Sequence, residues 1–206
     1  MTSKTIHDII TSRISANYFD TTRPLDDAQI AELVRLATFA PSAYNFQNWR
    51  FVAVRTPQAR KRLQALSFHQ QKVADAPVTF IVCGTLEAHR GLADALAPSV
   101  EQGIIDGATA DTWVRSAASG HTGNAQLQRD EAVRSASLAA MTLMLAAEGM
   151  GLVSGAIGGF DAEGVAKEFE LGAGEVPVML ISVGYAASGN WASKARKPVE
   201  AVLRYA

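Results

Sequence analysis

Apolar residues recur with a helical period near the start of the chain. Ile30, Leu33, Val34 and Ala37 stand at positions i, i+3, i+4 and i+7, which places one apolar stripe on a helix. The preceding segment Leu25–Asp27 offers an aspartate as N-cap and negative charge for the first turn. Because the ring of Pro41 cannot continue a helix, the pattern predicts a helix that ends before this residue.

A second helical pattern extends from about Arg129 to Glu148 and is the longest in the chain. Its periodic positions are Val133, Ala136, Ala140, Met144 and Ala147. Since small side chains let another helix approach closely, we expect this helix at the centre of the fold or of a dimer. The glycines at 149 and 151 predict its end.

Three segments have the pattern of strands. Trp49–Val54 alternates in polarity, whereas Val78–Cys83 and Val176–Val183 are almost continuously apolar, as buried strands are. A short helix is predicted over Asp161–Phe169. Because helices and strands mix without a regular β-α-β alternation, the sequence predicts an α+β fold in which helices flank a sheet.

The composition fits one compact domain over residues 1–206, with 48% hydrophobic and 19% charged residues. Residues 86–126 contain Gly103, Gly107, Gly120 and Gly123 and show weak periodicity, so they are expected to be the least ordered stretch and a candidate lid over a pocket. Within this stretch, Trp113 and His121 could line such a pocket, although surface packing is the expected role of each.

Charge and cysteine usage exclude several classes of function. A net charge of −1 predicts no general attraction to nucleic acid or anionic lipid. The single cysteine, Cys83, excludes an intramolecular disulfide framework and a multi-cysteine metal site, and its apolar surroundings predict a buried thiol. Met1–Thr5 lacks the apolar core of a secretion signal, and Ala136–Ala147 is far shorter than the roughly 20 residues of a membrane helix. We therefore expect a soluble, cytoplasmic protein without a metal site.

Candidate chemistry lies in four polar clusters that are far apart in the sequence: Ser12–Phe19, Ala40–Trp49, Phe68–Lys72 and Ser193–Pro198. In the first, Arg13 offers a planar set of donors and Ser15 a hydroxyl, both suited to a phosphate. Taken singly, each cluster also has an ordinary explanation, either as a solvated charged surface or as a turn stabilised by short polar side chains. No glycine-rich dinucleotide or phosphate-loop motif is present.

In this order, the clusters resemble the FMN-binding segments of the nitroreductase family. The first cluster matches an R-x-S-x-[RK] stretch followed by an aromatic residue, with Arg13, Ser15, Asn17 and then Phe19. The second matches an A-P-S-x-x-N-x-Q-P-W segment, and the third places His69 three positions before Lys72. The helix end at Gly149–Leu152, the glycine loop at Ala156–Phe160, and the pair Lys194 and Arg196 complete the resemblance, which covers about residues 5–200.

The resemblance implies a nitroreductase-like fold with a central, mainly antiparallel sheet, and a homodimer that binds FMN between its subunits. The cofactor-binding residues it implies are Arg13, Ile14, Ser15, Asn17, Pro41, Ser42, Ala43, Asn45, Gln47, His69, Lys72, Ile157, Gly158, Gly159, Lys194 and Arg196. Of these, Arg13, Lys194 and Arg196 would neutralise the FMN phosphate, and Lys72 would lie at the pyrimidine side of the ring. The backbone amides of Gly158 and Gly159 would face the flavin N5 edge.

The implied activity is transfer of hydride from NAD(P)H through the flavin to a nitroaromatic, a quinone or a similar acceptor, with ping-pong kinetics and no catalytic side chain. Asn17, Asn48 and Gly158 depart from the family pattern, and Asn17 removes one positive charge near the flavin. Two alternatives stay open. The same scaffold could support enal reduction, dehalogenation or flavin cleavage, or the protein could be a flavin-binding sensor or store with little turnover.

Overall fold

The computed structural model describes residues 5–206, and Met1–Lys4 lie outside the described part, together with most of the N-terminal segment considered above. The helices are α1 (Ile6–Ser12), α2 (Asp27–Ala37), α3 (Pro57–Leu66), α4 (Gln71–Asp75), α5 (Leu92–Glu101), α6 (Gly107–His121), α7 (Ala125–Gly149) and α8 (Ala162–Glu168). The strands are β1 (Trp49–Val54), β2 (Val78–Thr85), β3 (Val153–Ile157) and β4 (Glu175–Gly184). Short 3-10 helices lie at Ala43–Asn45, Ala88–Gly91 and Val199–Ala201.

The strands form one antiparallel sheet in the order β1-β2-β4-β3. The two nearly continuous apolar segments become its central strands, and Val78 of β2 pairs with Val183 of β4. This arrangement confirms the predicted α+β fold with a mainly antiparallel sheet. The sequence pattern missed β3, because its residues Val-Ser-Gly-Ala-Ile include three small side chains and show no clear alternation.

Helix starts follow side-chain caps that the sequence shows in part. Asp26 caps α2, and Gln29 completes a capping box by accepting from the Asp26 N–H at 3.1 Å. The α7 helix begins at Ala125, four residues before the predicted start, because the Asn124 side chain accepts from Leu127 N at 3.1 Å. The α2 helix ends at Ala37, ahead of Pro41 as expected.

The core lies on both faces of the sheet. On one face, α2 and α7 pack against β2 and β4 around Leu33, Phe80 and Leu143. On the other, α3, α4 and α8 contribute Leu63, Val73 and Val165 to a second cluster, which also contains the buried Cys83. Burial raises the pKa of the Cys83 thiol to about 12, so this residue is an uncharged part of the core.

The small residues of α7 lie at the centre of this fold. Ala132, Ser135, Ala136, Ala139 and Ala140 are all buried against other elements of the same chain. The helix approaches β2 so closely that a Cβ atom on Gly84 would lie 2.3 Å from the Ala132 carbonyl oxygen. The small-residue face of α7 therefore lies in the core of the subunit, which is one of the two places expected for it.

Residues 86–126 are largely helical, so the expectation of little order is wrong. This segment supplies most of a separate hydrophobic cluster, in which Leu92 and Leu96 of α5 pack against Ala117 of α6. Asp106 caps α6, and Gly103 and Gly123 adopt positive φ angles of 68° and 73° near helix ends. The periodicity is weak because small residues fill much of α6, while Gly103 and Gly123 lie in the turns beside the helices.

The expected surface packing of His121 is also wrong, since its side chain is buried in this cluster. The His121 ring stacks on the buried His89 ring, with a distance of 5.9 Å between ring centroids. Trp113 is partly buried at the same cluster. Burial lowers the pKa of His89, with further contributions from His121 and Arg90, which favours an uncharged imidazole at neutral pH.

Two absences concern only the part of the chain that the structure describes. Between residues 5 and 206, none of the helices combines the length and the hydropathy of a membrane-spanning segment. Across the same residues, no group of three or more His, Cys, Asp or Glu side chains is arranged to hold a metal ion.

The contact between Gly84 and Ala132 predicts that Gly84→Ala is strongly destabilising. Backbone atoms oppose the new methyl group, so α7 and β2 must separate, and we expect a loss of about 1–3 kcal/mol or more in the free energy of unfolding. Urea denaturation of the purified protein would measure this loss. Gly107→Ala is the matched control, because a Cβ atom there meets nothing within 4 Å and the change should stay within about 0.5 kcal/mol. Equal stability of the two variants would contradict the predicted steric conflict.

Candidate functional site

Two of the predicted clusters, from opposite ends of the chain, meet in one recess. Its lining residues are Arg13, Ile14, Ser15, Ala192, Ser193, Lys194 and Arg196. Arg13 follows the last residue of α1, and the backbone beyond it runs beside β3, where Ala16 N donates to Ser154 O at 2.9 Å. The recess thus combines three cationic side chains with a serine hydroxyl, a set of donors suited to a phosphate group.

Backbone carbonyls restrain two of these cations. Arg13 Nη1 donates to the Ile14 carbonyl at 3.0 Å, and Arg196 Nη1 donates to the Lys194 carbonyl at 2.7 Å. Each guanidinium keeps further N–H groups beyond the one used in this contact. The arrangement therefore restrains both side chains while leaving donors for a bound anion.

A second recess of about 300 Å³ adjoins the first and is lined by Asn17, Tyr18, Gln70, Gln71, Lys72 and Trp191. Lys72 Nζ donates to Asn17 Oδ1 at 3.5 Å, which joins the first and third predicted clusters. Burial lowers the pKa of Lys72, and the positive charge of Lys194 lowers it further. Lys194 itself lies over the Trp191 ring, 5.1 Å from its centroid, so the two recesses share one electrostatic environment.

The turn before Lys72 is held in an unusual backbone conformation. Phe68 and His69 have φ angles of 52° and 56°, in the left-handed region that non-glycine residues rarely adopt. The exposed His69 is tied to this turn by its backbone, since its N–H donates to Gln64 O at 3.0 Å. Such conformations persist only where surrounding contacts hold them, and they concentrate at functional sites.

Gln70 lines the second recess, although it is not among the binding residues that the motif resemblance implies. Its Nε2 donates to Gly159 O at 2.9 Å and to Ser67 O at 3.0 Å, which ties the turn to the loop after β3. The predicted residues Gly158 and Gly159 lie in this loop, directly after the buried Ile157. A Cβ atom on Gly158 would meet nothing within 4 Å, so this part of the backbone is open to an approaching group.

The segment Pro41–Gln47 lies apart from the other clusters. Ser42 Oγ accepts from Gln47 N at 2.9 Å, and Tyr44, Asn45 and Gln47 have φ angles of 52°, 62° and 49°. Phe46 is buried against α5 and α6, whereas the Asn45 and Gln47 side chains are exposed. Among residues 5–206, no hydrogen bond joins this segment to the other predicted binding residues.

Asn48, which stands where the family pattern has proline, has a structural role. Its side chain is only 3% exposed, and its Nδ2 donates to Thr85 O at 3.3 Å. The backbone carbonyl of Asn48 also accepts from Thr85 N at 2.9 Å. Asn48 therefore connects the start of β1 to the end of β2 and is not available to a ligand.

Comparison with known proteins agrees with this geometry. The model of the nitroreductase family matches residues 10–185. YodC of Bacillus subtilis, provisionally named an NAD(P)H nitroreductase, is 35% identical over 179 residues, which cover 87% of this chain and 88% of the relative. YdgI of the same organism, with the same provisional name, is 30% identical over 202 residues, 96% of each chain.

Solved structures show the same fold. A nitroreductase-type protein of Exiguobacterium sibiricum, crystallised in complex with FMN, superposes with a TM-score of 0.90 at 26% identity and covers 100% of this chain and 99% of its own. The protein ydfN of Bacillus subtilis gives a TM-score of 0.90 at 29% identity, covering 97% of this chain and 98% of its own. The predicted resemblance is confirmed, and the chain belongs to the nitroreductase family.

Proposed function

We propose that this protein is an FMN-dependent oxidoreductase that uses NAD(P)H in the cytoplasm. The observation that carries the proposal is the convergence of Arg13, Ser15, Lys194 and Arg196 in one recess. A phosphomonoester has a charge of roughly −1.5 to −2 near neutral pH, which three cations can balance. The FMN complex of the Exiguobacterium relative and the names of the Bacillus relatives support the same assignment.

The neighbouring recess is suited to the ring of the cofactor. Lys72 places a positive charge there, and the Asn17 amide accepts from it. A cation at this position favours added negative charge on the bound ring, and each ~1.4 kcal/mol of such preference corresponds to roughly 30 mV in a two-electron potential. Asn17 is neutral where the family pattern has a cation, so this position adds no positive charge to that of Lys72 beside the ring.

Bound FMN would supply the redox chemistry, accepting hydride from NAD(P)H and passing it to a nitroaromatic, quinone or similar acceptor in a ping-pong sequence. The protein residues would bind the cofactor and orient it. Gln70 fixes the Gly158–Gly159 loop beside the turn that carries Lys72. The open space beside Gly158 would let the ring edge approach this part of the backbone, and no side chain is required as a nucleophile.

A homodimer would complete the site. The Pro41–Gln47 segment carries the exposed amides of Asn45 and Gln47, which line neither recess and would suit binding to a cofactor held by a second copy. Apolar surface for an interface is available as well, since Phe39 is 74% exposed beside an apolar groove between α1, α2 and α7. The small residues of α7 are used inside the subunit, so the support for a dimer comes from these exposed side chains.

The proposed cofactor predicts that heat or acid releases FMN, and not FAD, from the purified yellow protein. The recess gathers its cations around a single terminal phosphate, and no adenine-dinucleotide motif is present in the sequence. Chromatography of the released cofactor against FMN and FAD standards is the measurement. Co-elution with FAD, or the absence of any flavin after reconstitution with FMN, would refute the proposed function.

Arg13→Ala and Lys72→Ala should fail in different ways. Loss of the Arg13 guanidinium removes a phosphate anchor, so the Kd for FMN should rise roughly tenfold to a hundredfold, while reduction by NAD(P)H at saturating FMN stays near the wild-type rate. Loss of Lys72 removes charge beside the ring, so reduction should slow even at full occupancy. Titration of FMN into each apoprotein, followed by stopped-flow reduction, measures both quantities.

Two exposed cations outside the site provide controls for these variants. Arg129→Ala on α7 and Lys61→Ala on α3 remove a charge of the same sign and should change neither quantity. The separation of roles is wrong if both site variants lose affinity equally and are reduced at the wild-type rate once saturated.

The protein is predicted to be a dimer whose interface includes α7. Leu138 and Met141 on this helix are 40% and 38% exposed, and a charge introduced at Met141 should oppose burial of this surface. Light scattering at micromolar concentration should give a dimeric mass for the wild type and a lower apparent mass for Met141→Asp. A monomeric wild type that still retains flavin would exclude the proposed assembly.

A further inference from the structure

The two chain ends that form the cationic recess are joined through one amide side chain. Asn190 lies five residues after Tyr185, in the segment that leads from β4 to Lys194 and Arg196. Its Oδ1 accepts from Asn17 N at 2.8 Å and from Tyr18 N at 3.1 Å. Its Nδ2 donates to Tyr18 O at 2.7 Å and to Ala187 O at 3.1 Å.

This set of partners requires an amide. Two backbone N–H groups need an acceptor, and two backbone carbonyls need a donor, from the same side chain. Only Asn and Gln provide both on one planar group, and a carboxylate of the same shape would lack the donor half. The longer Gln side chain would displace the group, so the geometry specifies Asn at this position.

The bonds of Asn190 act on groups at both recesses. On one side they fix the backbone of Asn17, whose side chain accepts from Lys72 Nζ. On the other side they fix the start of the segment that carries Lys194. Among residues 5–206, the other backbone hydrogen bonds between these two segments run from Asp20 N to Tyr185 O at 2.9 Å and from Ala187 N to Tyr18 O at 3.2 Å, on either side of the bridge from Phe19 to Ala186. All of these contacts precede Asn190 along the second segment, so beyond residue 187 the described connection between the segments depends on this side chain.

We propose that Asn190 is a positioning residue that sets the spacing between Arg13 and the pair Lys194 and Arg196, and thereby the selectivity of the site for a flavin that carries a phosphate. Asn190 lines neither recess and acts through the backbone of Asn17 and Tyr18. This inference rests on the proposed function, since the phosphate in question is that of FMN. Asn190 is not among the binding residues predicted from the sequence.

The test compares two flavins that differ only in the phosphate. FMN and riboflavin are titrated into apoprotein, and the Kd for riboflavin divided by the Kd for FMN isolates the contribution of the phosphate. In Asn190→Ala the cations are no longer held at the right spacing, so this ratio should fall about tenfold, the effect of losing one well-placed charge-assisted hydrogen bond. Riboflavin affinity should fall by less than FMN affinity, because Gln70, Gln71 and Lys72 of the ring recess make no hydrogen bond to Asn190.

Asn124→Ala is the matched control. It also removes an Asn side chain that bonds a backbone N–H group, that of Leu127, at the start of α7 and outside both recesses. Its Kd ratio should equal that of the wild type even if its stability falls. Should Asn190→Ala fail to fold, Asn190→Gln tests the same point, since it keeps a neutral amide but displaces the group that sets the spacing.

The outcomes separate this inference from the function on which it rests. An unchanged ratio in a folded Asn190 variant, or an equal loss of affinity for FMN and riboflavin, would overturn the positioning role while leaving the flavin site intact. A wild type that binds FMN no more tightly than riboflavin would overturn the proposed phosphate site, and the role of Asn190 with it. A fall in the ratio confined to the Asn190 variants supports the inference.

Discussion

Electrostatic repulsion among gathered cations is the constraint that shapes this site. Arg13, Lys194 and Arg196 line one recess, and Lys72 lies in the next, close enough to Lys194 for each charge to oppose the other. Among residues 5–206, no carboxylate lines either recess, and neutral groups hold these side chains in place. Backbone carbonyls restrain the two arginines, the Asn17 amide accepts from Lys72, and the Trp191 ring lies beneath Lys194. The result is a preorganised surface whose unbalanced charge favours a bound anion.

That surface depends on how the sheet edge receives both ends of the chain. The N-terminal segment pairs with β3 through Ser15 and Ser154, and Phe19 pairs with Ala186 just beyond β4. A side chain on Gly155 would meet the Ala16 carbonyl at 2.5 Å, so the small residues of β3 make this approach possible. The same small residues that weaken the strand pattern in the sequence are thus required for the site.

The elements predicted correctly from the sequence are those whose burial leaves an apolar period or run. The α2 stripe and the β2 and β4 runs follow directly from the core they form. The helices α5 and α6 were missed because small side chains pack there without a strong period. The motif resemblance located Arg13, Lys72, Lys194 and Arg196, but Gln70 and Asn190 act through backbone partners distant in sequence, and no local pattern marks such contacts.

Contacts from α6 stabilise the Pro41–Gln47 turn, in which three residues adopt strained backbone conformations. Left-handed φ angles at Tyr44, Asn45 and Gln47 disfavour the turn by on the order of 1–3 kcal/mol each. The His121 ring of α6 opposes this strain, since it contacts the Phe46 ring edge-to-face at 5.2 Å and the Tyr44 ring at 6.5 Å. Because such aromatic contacts add about 0.5–1.5 kcal/mol beyond burial, α6 stabilises the turn as a fixed support that presents Asn45 and Gln47 outward.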